Sequence, residues 1–308
     1  MRRFLIDTDT ASDDAVALVM AAKAPDVQIE AVTVVSGNVP LAQGVQNALY
    51  TLELAGCSAP VYAGLGKPLL RPLETAQNVH GYDGMGDIGL QLTGRLPASG
   101  HAVDVLIETI RRYPGEITLV TLGPLTNVAA ALLRDPGLAQ LVHRCVMMGG
   151  TSDSIGNVTP VSEYNIWADP EAAKIVFESG LPIEMIGWDI SRKYATFSPP
   201  ESAALRAIGT PLAAFCVDIQ SAVDSFATST TQLKGYDLPD PIAMAAALDP
   251  AVVEYEHWTV VIETQGALCR GQTVVDPLRL LGQPPNVQVA VRASRARFVE
   301  LLEAAVRA

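Results

Sequence analysis

The chain has 308 residues, 49% of them hydrophobic and only 18% charged, which is material for one large buried core rather than for a disordered chain. A net charge of -12 with a pI near 4.7 excludes nucleic-acid polymers as partners, because phosphate binding needs clustered Lys and Arg. No apolar run reaches the roughly 20 residues that span a bilayer. Met1-Arg2-Arg3 leads directly into the apolar Phe4-Leu5-Ile6 without a signal-peptide core, so a cytoplasmic protein without membrane contact is expected.

In chain order the pattern predicts a strand at 4–7 and a helix at 13–24, then a strand at 29–35 and a helix at 41–55. A helix at 103–112, a strand at 117–122, a helix at 125–134 and a strand at 145–148 follow. The remainder reads as a helix at 170–179, a strand at 183–186, two helices between 200 and 227, a helix at 241–248, a strand at 253–262 and a terminal helix from about Ser294. β-branched runs alternating with amphipathic segments imply an α/β fold. The expected architecture is an open, mainly parallel, Rossmann-like sheet flanked by helices, one catalytic domain over 1–308. Cys57, Cys145, Cys216 and Cys269 are far apart and lack CxxC spacing, so buried free thiols are expected.

The active site of such a sheet lies at the carboxyl ends of the strands. Several polar turns fall at those ends: 7–14, Ser36-Gly37-Asn38, Gly123-Pro124-Leu125-Thr126-Asn127 and Gly149-Gly150. The first holds Asp7, Asp9, Asp13 and Asp14 within eight residues. Like charges so close raise one another's pKa unless a cation or hydrogen bonds offset them, and calcium or magnesium with oxygen ligands is the natural remedy. Helix capping by Asp13 would account for one or two of these acids, but not for Asp7 and Asp9 at the end of a buried strand.

Three metal-using templates compete for this loop. An EF-hand counted from Asp7 fails, because Ala11, Ser12 and Leu18 stand at its fifth, sixth and twelfth positions. Asp7-Thr8-Asp9-Thr10 resembles the nucleophile motif of haloacid-dehalogenase phosphatases, but Asp13 and Asp14 follow within one turn instead of far downstream. The third template fits best. Ile6-Asp7-Thr8-Asp9 with Ser12-Asp13-Asp14-Ala15-Val16-Ala17-Leu18 resembles the N-terminal signature of the inosine-uridine preferring nucleoside hydrolase family. Ser36-Gly37-Asn38, Gly123 to Asn127, Met148-Gly149-Gly150 and Gly156 to Pro160 with Glu163-Tyr164-Asn165 follow in that family's order, and Asp240 opens a late helix as its last metal ligand does.

The resemblance implies a calcium-dependent ribonucleoside N-ribohydrolase, acting on a small nucleoside in salvage and assembling as a homodimer or homotetramer. It implies that Asp9, Asp14, Asp240 and the Leu122 carbonyl hold Ca2+, with water and the ribose 2'- and 3'-hydroxyls completing the shell, and that Asp9 is the general base toward the calcium-bound water. It assigns Asp13 to ribose hydroxyls, Asn38 and Asn165 to the sugar, Asn157 and Glu163 to the 5'-hydroxyl, Met148 to the underside of the sugar and Asp7 to bracing the ligands. From local sequence alone, Asn38 and Asn157 also read as turn residues after glycine. Trp167, Trp188 and Trp258 read as packing residues, and His101, His143 and His257 as surface or structural.

Two positions depart from the family pattern. Ala11 stands where Gly is frequent, and Pro239 stands where a histidine often precedes the last aspartate. Proline carries no titratable group, so leaving-group protonation falls to His80, which resembles the family's other base-side histidine, or to Tyr82 or Tyr236. A dehalogenase-type phosphatase and a non-catalytic nucleoside or ribose sensor are the alternative functions.

Overall fold

The computed structural model describes residues 1–231 and 233–308. Strand β1 (Arg2–Thr8) delivers the acidic loop to helix α1 (Ser12–Lys23), and β2 (Val27–Val34), α2 (Leu41–Leu54) and β3 (Val61–Ala63) follow. A short α3 (Gln77–His80) precedes α4 (Ala102–Arg112), β4 (Ile117–Thr121), α5 (Thr126–Arg134) and β5 (Val142–Met148). Then come α6 (Tyr164–Ala168), α7 (Pro170–Glu178), β6 (Ile183–Ile186), α8 (Trp188–Tyr194) and β7 (Thr196–Phe197). Helices α9 (Pro199–Arg206), α10 (Pro211–Asp218) and α11 (Ser221–Phe226) replace the two expected between 200 and 227. The chain closes with β8 (Tyr236–Asp237), α12 (Pro239–Leu248), β9 (Val253–Ile262), β10 (Thr273–Asp276), β11 (Val287–Ala293) and α13 (Arg295–Arg307).

The main sheet has nine strands in the order β10-β9-β11-β6-β5-β4-β1-β2-β3. From β11 to β3 every pairing is parallel, while β9 pairs antiparallel with both β11 and β10. Strand order reverses at β1, which has β4 on one side and β2 on the other. That reversal opens a crevice at the carboxyl ends, where open α/β sheets bind ligands. The acidic loop leaves β1 at this point.

Helix α1 is buried from Ser12 through Ala21, and α12 from Asp240 through Ala247. Alanine fills much of both helices, so the two can lie close together beside the sheet. Neither helix has a polar outward face, because both are covered along most of their length. Both first turns carry acids, Asp13 and Asp14 on α1 and Asp240 on α12, where the helix dipoles favour negative charge. The cap of α1 is Ala11, not Asp13, and the Asp14 carboxylate reaches back to accept the Ala11 N–H at 2.9 Å.

Of the four free cysteines, Cys145 and Cys216 are buried and Cys57 and Cys269 only half-buried. No helix among the described residues is long and apolar enough to cross a membrane.

Candidate active site

A cavity of about 360 Å³ opens at the carboxyl ends of the strands, within the usual size of small-molecule sites. Asp13, Asn38, His80, Leu122, Met148, Asn157, Glu163, Asn165 and Asp240 all line it, together with Pro239. Asp9 and Asp14 are fully buried behind this wall. The structure thus brings together at one place residues that the sequence spreads over more than two hundred positions.

Asp9 is held from one side. Its Oδ2 accepts the Asn38 N–H at 2.6 Å, while Oδ1 has no partner among the described residues. Glycine is required on both flanks: a Cβ on Gly37 would overlap the Asp9 carboxylate, and one on Gly123 would come within 2.7 Å of Oδ1. Asp14 Oδ1 accepts from Thr8 Oγ1 at 2.5 Å. Asp7 stands farther back, with Oδ1 accepting from Thr33 and Asn127 and Oδ2 unpartnered.

The wall toward the sugar residues is equally fixed. Glu163 caps α6, its Oε1 accepting the Asn165 N–H at 2.9 Å and its Oε2 the Gly150 N–H at 2.7 Å. Asn157 Oδ1 accepts the Tyr164 N–H at 2.9 Å, so the turn role and a place on the cavity wall coexist in one residue. Asn165 Nδ2 donates to the Leu122 carbonyl at 2.9 Å and lies 3.2 Å from the Met148 sulfur. A carbonyl has a second lone pair, so Leu122 keeps one for another partner.

Electrostatics show what this arrangement needs. Burial pushes the Asp13 carboxyl up to about 7 and that of Asp14 to about 6, with the neighbouring Asp13 adding to the latter. Asp9 and Asp240 stand well above the usual carboxylate range, first through burial and then through repulsion from Asp14. Carboxylate oxygens of Asp14 and Asp240 lie within 4.8 Å of one another, a proximity that a proton or a cation between them relieves.

A divalent metal fits this donor set. Oxygens of Asp13, Asp14 and Asp240 lie within 4.8 Å of one another, and buried carboxylate oxygens at Asp9 and Asp13 lack partners. This triad contains Asp13 where the family resemblance places Asp9. An all-oxygen set suits a hard cation.

On the opposite side stand Val223, Phe226, Ala227 and Trp188 with His80 and Pro239. The His80 Nδ1 lies 3.1 Å from Ser12 Oγ and 3.8 Å from Asp13 Oδ1, and burial lowers its pKa to about 4. At neutral pH it is an uncharged imidazole. Neither tyrosine lines the cavity: Tyr82 is 82% exposed, and Tyr236 is buried against Phe197 with its hydroxyl paired to Ser202. Trp167 and Trp188, expected only to pack, both line the cavity, whereas Trp258 does not. His101 caps α4, and His143 and His257 are exposed on strands.

One cavity residue had no signal in the sequence. Asp237 lies three positions before Asp240 and faces the same space. Its Oδ2 accepts from Trp188 Nε1 at 3.0 Å and Ser191 Oγ at 2.6 Å, and its charge acts on both Asp13 and His80.

Comparison with known proteins agrees with this geometry. The family model described as inosine-uridine preferring nucleoside hydrolase matches residues 4–300. The pyrimidine-specific ribonucleoside hydrolase RihA of Salmonella typhimurium is 39% identical over 304 residues, covering 97% of this chain and 96% of its own. RihB of Escherichia coli, also pyrimidine-specific, is 34% identical over 311 residues, covering 99% and 97%. Among solved structures, the plant nucleoside hydrolase PpNRh1 superposes with a TM-score of 0.93 at 34% identity, over 100% of this chain and 99% of that one. A purine-preferring ribonucleoside hydrolase from Gardnerella vaginalis gives 0.92 at 32% identity, over 99% and 98%.

Proposed function

We propose, from the premise that this chain belongs to the inosine-uridine preferring nucleoside hydrolase family, that Asp9, Asp14, Asp240 and the Leu122 carbonyl hold Ca2+ and that Asp9 is the general base. The chain is an enzyme that hydrolyses the N-glycosidic bond of ribonucleosides to free base and ribose. The phosphatase and sensor alternatives have no support in these relatives. When bound, the ion supplies a positive charge that neutralises the carboxylates and favours deprotonation of a water.

The observation that carries the assignment is the asymmetry of Asp9. One oxygen is fixed by the Asn38 backbone and the other is buried with no partner among the described residues, so one oxygen is left for the ion and the water it holds. Asp13, Asn38 and Asn165 hold the ribose hydroxyls, Asn157 and Glu163 the 5'-hydroxyl, and Met148 supports the ring. These uncharged and acidic groups recognise a polyol and surround a ribosyl cation with negative charge.

His80 assists the departing base. Because its imidazole is neutral, it acts from Nε2–H as a hydrogen-bond donor while Ser12 engages Nδ1. The same reading makes the protein a cytoplasmic homodimer or homotetramer, and a monomeric mass by light scattering would overturn the assembly. The central test is chromatography of free base released from a panel of ribonucleosides, with metal analysis before and after chelation. Release that stops on chelation and returns with Ca2+ supports the reading, and full turnover by metal-free protein overturns the metal assignment.

A further inference from the structure

We propose that Asp237 is a specificity residue for the leaving base, its free carboxylate oxygen accepting a hydrogen bond from an N–H of the base, so that amino-bearing bases such as cytosine or adenine are favoured. This rests on the ribonucleoside hydrolase reading of the same cavity. Asp237 is 9% exposed and lines the cavity. Both hydrogen bonds it accepts from other side chains end on Oδ2. Oδ1 receives none from the side chains of other described residues, which leaves it as the acceptor for a ligand in the cavity that Asp237 lines. A ligand with an N–H at this place gains a hydrogen bond to a carboxylate oxygen that no other side chain occupies.

The sugar does not need this group. Asp13, Asn38, Asn157, Glu163 and Asn165 already offer more polar groups than ribose has hydroxyls. The base then meets others of the lining residues, among them Val223, Phe226 and Trp188, which suit a planar ring, and Asp237 as an acidic acceptor held by Trp188 itself. The position is rigidly built. Asp237 pairs with Thr196 in the two-stranded β7-β8 sheet, and Trp188 and Ser191 from α8 orient its carboxylate.

Asp237→Asn is nearly isosteric and keeps an oxygen for Trp188 and Ser191, but turns an NH2 donor toward the cavity. The test measures kcat/KM of the wild type and D237N on cytidine, on the riboside of 2-pyrimidinone, which lacks the exocyclic amine, and on p-nitrophenyl riboside. The cytidine to 2-pyrimidinone riboside ratio should fall about tenfold or more in D237N, the size of a lost hydrogen bond to a charged group. An unchanged ratio overturns the proposal. Parallel losses on all three substrates also overturn it, since they mean that Asp237 only ties β8 to α8. If the wild type cleaves p-nitrophenyl riboside but treats cytidine and its deamino analogue alike, the hydrolase reading stands and this one fails. If it cleaves none of the three, both fail.

Discussion

The floor of the cavity is made of carboxylates on the first turns of two largely buried helices, whereas the far wall is made of Val223 and Phe226 from α11, Trp188 from α8 and Pro239 from the start of α12. On the floor three acids are held by hydrogen bonds: Asp14 by Thr8 and Ala11, Asp9 by Asn38, Asp7 by Thr33 and Asn127. The far wall has few polar contacts and one anchored carboxylate, Asp237. Chemistry common to all ribosides belongs to the first region, and discrimination among bases to the second. Substitutions should therefore separate: floor changes act on every substrate alike, wall changes on some.

The largest effect is expected on the floor. Asp9→Asn keeps the shape and the Asn38 contact but removes the base, and loss of general base catalysis is worth about 10² to 10⁴ in rate. Asp14→Ala and Asp240→Ala should also abolish turnover, with loss of bound metal. All substrates, including p-nitrophenyl riboside, should suffer equally. Wild-type turnover in any of these variants would break the comparison at its root.

Next in size is the loss of the 2'-hydroxyl. Sites that hydrogen-bond a substrate hydroxyl reject the analogue lacking it by orders of magnitude, because buried groups such as Asp13 and Asn165 are left unpaired. Deoxyinosine and deoxyuridine should thus be poor substrates to a similar degree, whatever the base. Equal rates for inosine and deoxyinosine would remove Asp13 and Asn165 from sugar recognition.

How much of each region is readable from sequence follows the same division. The floor was legible because Asp7, Asp9, Asp13 and Asp14 sit within one strand-to-helix turn, where local spacing carries the geometry. Asp240 was legible as the acid opening a helix. Asp237 was not, since its meaning depends on Trp188 and Ser191, contacts 49 and 46 residues away. Trp188 looked like core for a similar reason: its ring packs, and its place on the cavity wall comes from α8, a helix the periodicity did not reveal. In the fold, the parallel alternation was readable, while β11 was missed. It enters the sheet between β9 and β6, an insertion that no local pattern specifies.

A smaller effect concerns stability. Burial raises Asp13 to about 7 and Asp14 to about 6, so between the unfolded carboxylate pKa near 3.8 and those values the folded metal-free chain binds more protons than the unfolded one. Stability then falls as pH rises through that window. The Tm of chelated protein should decrease from pH 5 to pH 8, and Ca2+ should cancel most of the decrease by pairing with the ionised forms. A Tm of chelated protein that climbs over this range would contradict the upward shift of these buried acids.

The smallest effect, and the one that most sharpens the comparison, is at His80. It lies close to Ser12 and Asp13 of the floor and also lines the cavity with the apolar residues of the wall. With its pKa lowered to about 4 by burial, it cannot hold a proton to give at neutral pH, and Pro239 has none. A hydrogen bond from a neutral imidazole contributes about 0.5–1.5 kcal/mol, so His80→Ala should slow uridine and inosine by roughly tenfold or less, short of the 10² to 10⁴ expected of a true general acid. p-Nitrophenolate departs without a proton, so the activated riboside should be cleaved faster than natural nucleosides by the wild type and lose little in the variant. Comparable losses on both kinds of substrate would assign His80 to the floor, as a support for Asp13. A loss beyond a hundredfold on the natural substrates alone would restore it as the acid and would require its pKa to rise when substrate binds.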